Sequence, residues 1–214
     1  MRFKRIIAAL LLIITAVSAL SSCEKDREYD EAVVKREAEQ LIKKSIPLNE
    51  IYYGKGFLYT DEGEGNYKKI AEGEAERYGI ESIDVLKEKT LQVFSKSWSE
   101  TIFTTLLSGQ NDGEHRTYAR YLQYSKGEES YIVVNIAHEY QMTNTIEYDF
   151  SGINVIGAKG EKVTISVPVT LTRTDGGVKL DEIRISMIEE ENGWRLSGSS
   201  HAVYNEYSDG IKVK

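Results

Sequence analysis

One cysteine, two prolines, three histidines and two tryptophans are spread over 214 residues. A single thiol excludes an intramolecular disulfide and any metal site built from cysteines. His115 and His201 fall near strand edges with no partner at ligand spacing, so neither a metal nor another cofactor is expected. Positive charge is also short: 27 Lys and Arg stand against 34 Asp and Glu, a formal net charge of −7. A surface of that sign argues against nucleic acid as a partner and against an electrostatic hold on anionic lipid. Neither glycine-rich phosphate fingerprint is present around Gly54-Lys55-Gly56. Long apolar runs are scarce too. The run at residues 6–20 is fifteen uncharged residues behind Arg2, Lys4 and Arg5, whereas crossing a bilayer takes roughly 20.

That run has the charge and length of a secretory leader. Its end, Leu20-Ser21-Ser22-Cys23, resembles the lipobox of bacterial lipoproteins: an aliphatic residue, two small ones, then cysteine. The resemblance implies cleavage before Cys23 and a diacylglyceryl thioether on its sulfur, chemistry that calls for a thiolate nucleophile. Two acyl chains matter because one gives only marginal, reversible membrane binding. Removing residues 1–22 takes away three positive charges, so −7 becomes −10. Residues 23–29 then form a lipidated cysteine and a short tether, and residues 30–214 one domain. Six extended residues span at most ~20 Å, which keeps the domain near the membrane on the extracytoplasmic side.

Val34, Ala38, Leu41, Ile42 and Ser45 recur at helical spacing behind Asp30, a fitting N-cap. Pro47 is expected to interrupt this helix, with a further turn to Tyr53 stopped by Gly54. Residues 55–80 are polar, Gly- and Glu-rich, and read as a long loop. Ser82 opens a second helix, and Ser97-Trp98-Ser99-Glu100 fits the capping box of a third, ended by Gly109. From residue 117 the period becomes two. Strands are expected at 117–124, 131–138, 145–157, 161–174, 178–191 and 194–203, joined by hairpin chemistry. Apolar parity flips across Ser151-Gly152 and across Asp181-Glu182, and Pro168 interrupts the strand between. These are signatures of bulges in a sharply bent sheet. The fold class is therefore α+β, with helices packed in a strongly curved antiparallel sheet of five to six strands.

This order, with the helix ending 46–54, the paired helices at 82–107 and the closing Asn192-Gly193-Trp194-Arg195-Leu196, resembles the NTF2-like (SnoaL-like, cystatin-like) superfamily. It also resembles small lipoproteins of Gram-positive bacteria that carry such domains. The family implies a cone with a pocket at its open end, in members that include isomerases, dehydratases and non-catalytic binding modules.

Pairing Tyr124 with Ser130 places Tyr118, Arg120 and His138 on the concave face. Arg120 is then a holder of an anionic group and Tyr118 and His138 its polar neighbours; the plainer alternative is an Arg that snorkels to solvent. Tyr148 faces inward as a fourth pocket residue, with its neighbour Asp149 outward. Tyr52, Tyr53 and Tyr59 are candidates for a pocket lip, or else core-edge tyrosines with surface hydroxyls. No inward carboxylate emerges, which favours a non-catalytic module binding a small molecule or an envelope protein. Two other classes stay open: a lyase or isomerase with His138 as general base, and an assembly protein using the open sheet face.

Overall fold

The computed structural model describes residues 28–109, 118–138 and 144–201. The apolar leader run, Cys23, His115 and the break at 111–114 lie outside them. Among the described residues, no helix is long and apolar enough to cross a membrane.

Helix α1, Glu31–Tyr53, starts where Asp30 accepts hydrogen bonds from the amides of Ala32 and Val33. It does not break at Pro47. The proline forfeits one intrahelical donor, but Leu48, Ile51 and Tyr52 continue the buried stripe of Val34, Ala38, Leu41 and Ile42, and that burial carries the helix through. Gly54 ends it, donating to the carbonyls of Asn49 and Glu50.

The stretch read as a loop is a hairpin followed by a short helix. Strands β1, Tyr59–Glu64, and β2, Tyr67–Ile70, pair antiparallel, and α2 follows at Glu74–Tyr78. Only Ile70 of this hairpin is buried, so no apolar alternation announces it. Helix α3, Ile83–Val93, is capped by Ser82 as expected, but α4, Lys96–Ile102, is capped by Ser95 rather than Ser97. The Ser95 amide donates to Leu196 O at 2.8 Å, which pins Ser95 to the last strand and sets the start of the helix there. A π-helical turn, Phe103–Ser108, leads to Gly109.

Seven further strands follow: β3 Tyr121–Lys126, β4 Glu129–Asn135, β5 Asn144–Tyr148, β6 Asn154–Lys159, β7 Lys162–Arg173, β8 Val178–Glu190 and β9 Gly193–Leu196. They form two antiparallel sheets, β1-β2-β4-β3 and β5-β7-β8-β9, with β6 also paired to β7. The architecture is α+β with a strongly curved antiparallel sheet. Helix α1 packs against α3, β6 and β9. Beneath it the cross-strand pairs Val163–Met187, Ile165–Ile185 and Val167–Ile183 are fully buried.

The parity flip at Ser151-Gly152 is real: a 3-10 turn, Phe150–Gly152, separates β5 from β6 along the same side of β7. Pro168 sits opposite this break. Its carbonyl accepts from Asp149 N, and since a strand residue's N–H and C=O point the same way, its missing donor faces the gap. A Cβ on Gly152 would lie 2.7 Å from Pro168 Cγ, so the turn needs glycine there. The Asp181-Glu182 flip is not a bulge. The β7–β8 register runs without a slip from Lys162–Ile188 to Thr172–Val178. Instead Val178 and Leu180 face outward and exposed, while Lys179 and Asp181 form an ion pair at 2.9 Å on the core side.

The last described segment docks on α1. Asn49 Nδ2 donates to Ser200 Oγ at 2.9 Å, Ser200 Oγ to Ser45 Oγ at 2.7 Å, and Tyr148 OH to Ser200 O at 2.7 Å. The His201 ring stacks on Tyr53 at 4.0 Å, and burial pulls its pKa down to about 4. An imidazole that titrates near 6.5 when unfolded takes up its proton in the unfolded state first. Stability contributed here is therefore complete above pH ~6.5 and is lost as pH falls towards 4. At 1.36 kcal/mol per pH unit the loss totals about 3 kcal/mol. Urea melts at pH 7 and pH 4.5 on the protein and on His201→Phe check this: the variant's own pH dependence is expected to be shallower in that window.

Candidate functional site

The C-terminus of α1 needs partners for its last carbonyls, and β3 supplies them. Tyr121 OH donates to Ile51 O at 2.7 Å; Arg120 Nη1 donates to Tyr52 O at 2.7 Å and Nη2 to Gly54 O at 2.5 Å. A cation is well placed at the negative end of a helix dipole. Arg120 is 2 % exposed, and among the described residues no Asp or Glu forms an ion pair with it. Burial pushes the Tyr121 phenol up to about 12, with the Arg120 charge opposing the rise, so it stays a protonated donor.

Arg120 borders a cleft of about 520 Å³ between residues 55–59 and 134–138. One wall is the Lys55–Tyr59 segment. Phe57 anchors it, packed edge-on against Tyr78 and Tyr121 at 5.3 Å each, and the Leu58 amide donates to the buried carboxylate of Glu74 at 2.8 Å. The other wall is the turn after β4. Asn135 organises it: its amide donates to Arg120 O at 2.8 Å, and its Oδ1 accepts from Ala137 N at 3.1 Å. His138 follows, half-buried, its amide on Asn135 O. Among the described residues, no carboxylate lines the cleft.

Gly56 makes the close approach of the first wall to β3 feasible. It has φ +73°, and a Cβ there would fall 2.0 Å from Tyr121 Oη. Gly56→Ala is expected to cost at least the ~1–2 kcal/mol of a left-handed non-glycine residue, plus displacement of the Tyr121 hydroxyl from α1. A thermal melt with near-ultraviolet circular dichroism reads both.

Of the residues singled out from sequence, the structure brings Arg120, His138 and Tyr59 to this cleft. The β3–β4 register is one residue off the expected one: Tyr124 pairs with Tyr131, and Tyr121 with Val134. By strand alternation this turns Arg120 outward with Leu122 and Tyr124. The chain bends at Arg120, however, and the guanidinium swings under the end of α1. Tyr118 is exposed and does not line the cleft. Tyr148 lies elsewhere, held on Ser200 O and stacked on Phe150. Of the three lip candidates, Tyr52 is core, its hydroxyl on Thr90 Oγ1 at 2.8 Å, and Tyr53 faces His201; Tyr59 alone stands at the cleft. Lys55, Phe57, Leu58 and Ile136 are also among its walls, and the sequence signal for the first three was the Gly-Lys-Gly triplet.

A wider trough of about 920 Å³ runs over the β6–β7 hairpin, but its walls are exposed or half-exposed and no buried polar group points into it. Among the described residues, no group of three or more His, Cys, Asp or Glu side chains could hold a metal ion. Compared with family models, with curated proteins and with solved structures, the chain finds no match.

Proposed function

We propose that this protein is a lipid-anchored, extracytoplasmic binding module of the NTF2-like type. It holds a small molecule through an anionic group in the cleft beside Arg120 and does not catalyse a reaction. The observation that carries the reading is the buried guanidinium with no carboxylate of the described residues beside it. A charge withdrawn from water is costly unless compensated. Two backbone carbonyls use two of its five N–H donors and the Tyr121 hydroxyl engages the guanidinium as well, so an anion entering the adjoining cleft would meet the charge and the donors that remain. Lys55 at the mouth adds attraction at a distance. Lipid anchoring rests on the sequence ending at Cys23, and the NTF2-like type on the order of helices and strands.

Amide chemical shifts during titration with acetate, benzoate and phosphate at low salt test the site. At least one anion is expected to shift residues 55–59, 120 and 135–138 in a saturable way. Shifts spread over the lysine-bearing surface, with none in these segments, would sink the proposal.

A further inference from the structure

We infer that the ligand is an amphipathic carboxylate, its head at Arg120 and its apolar chain lying on Leu58, Tyr59 and Ile136. This rests on the cleft being an anion site, as proposed above, and names the class of anion. Single exposed apolar side chains are ordinary on a protein surface. Here three of them, Leu58 at 58 %, Tyr59 at 51 % and Ile136 at 44 % exposure, converge on one concavity whose inner end is a buried cation. The rest of the lining is apolar at Phe57, Val134 and Ala137 and polar at Asn135, His138 and Lys55. The apolar members match hydrocarbon better than a row of hydroxyls, and the polar ones lie on the turn after β4 and at Lys55. A planar guanidinium with donors to spare suits a carboxylate. The apolar rim is held in place rather than collapsed onto the cation: the Leu58 amide is tied to Glu74, and Ile136 N donates to Asn66 O at 2.8 Å. The exposed apolar surface at the mouth thus persists in the unliganded protein, where covering it would be favourable.

The test uses the chain from residue 23 onward, which contains every described residue, in solution without detergent. Butanoate, hexanoate, octanoate and decanoate are titrated calorimetrically beside 1-octanol and inorganic phosphate. Affinity is expected to rise about two- to fourfold per methylene up to octanoate, the upper figure being the ~0.8 kcal/mol of a fully buried CH₂. Octanol is expected to bind at least about tenfold more weakly than octanoate. Leu58→Asp, at an exposed position and therefore compatible with folding, should abolish the gain with chain length. Phosphate binding as well as octanoate, or an affinity flat from butanoate to decanoate, would overturn the amphipathic class while leaving an anion site standing. Octanol matching octanoate would remove the role of the head group. Failure of every anion would remove the site and the inference together.

Discussion

Arg120→Met is expected to be among the most destabilising single substitutions in the domain, at roughly 3–5 kcal/mol, from two hydrogen bonds of a charged donor at about 1.5–3 kcal/mol each. Methionine fills much of the volume but donates nothing. Tyr52 O and Gly54 O, both on buried residues, would lose their donors, and each orphaned buried acceptor costs about 1–3 kcal/mol. The last turn of α1 would also lose the cation at its negative end. Arg120→Lys keeps the charge but cannot reach two carbonyls with one fork, so about half the loss is expected. Tyr121→Phe removes a single neutral bond to Ile51 O and should cost about 1 kcal/mol. Urea denaturation of the three variants orders them. If Arg120→Met lies within about 0.5 kcal/mol of the parent, as an ordinary surface change would, then Arg120 does not hold the helix end and the account of its burial is wrong.

How far the sequence reached depended on whether the deciding contact was local. Asp30 and Ser82 cap the helices they were read to cap because an N-cap bond closes within three residues. Ser95 and Ser97 are equally good caps locally, and the choice between them was made by Leu196, about a hundred residues away. The β3–β4 hairpin illustrates the same limit. Its turn could close with Tyr124 against Ser130 or against Tyr131, and the second register stacks the two rings at 4.8 Å, a gain the alternation of one strand cannot reveal. Arg120 was placed inside on the wrong register. It is inside because a helix terminus with unpaired carbonyls lies within its reach, which no strand pattern encodes. The flip at Ser151-Gly152 was legible because glycine and proline carry backbone geometry in their identity. That at Asp181-Glu182 was misread because an exposed Leu180 looks the same in sequence as a buried one. The cleft followed the same rule: its charged and aromatic members drew notice, while of its apolar rim Leu58 lay in a stretch read as a loop and Ile136 in an ordinary strand.

Replacing Cys23 with serine is expected to move the protein from the membrane to the aqueous fraction entirely, while leaving its affinity for carboxylates unchanged. A hydroxyl is a far poorer nucleophile than a thiolate at neutral pH, so the acyl chains would not be attached. The rest of the chain offers little to replace them: residues 23–214 carry a formal charge of −10, the −7 of the whole less three positive charges in residues 1–22, and anionic headgroups repel such a surface. Binding should survive because the proposed anchor precedes α1 in the chain, whereas the proposed site lies by the C-terminal end of that helix. Tyr29 fastens the start of the domain, its hydroxyl on Gly160 O and its ring edge-on to Trp194 at 5.3 Å. Arg120, which borders the cleft, meets the helix at Tyr52 and Gly54, at the far end of 23 helical residues, or about 35 Å at 1.5 Å per residue. Fractionation of cells followed by calorimetry on the released variant separates the cases. A serine variant that stays on the membrane would refute the thioether anchor. One that leaves the membrane but loses carboxylate binding would mean that the bilayer, and not the cleft alone, forms part of the site.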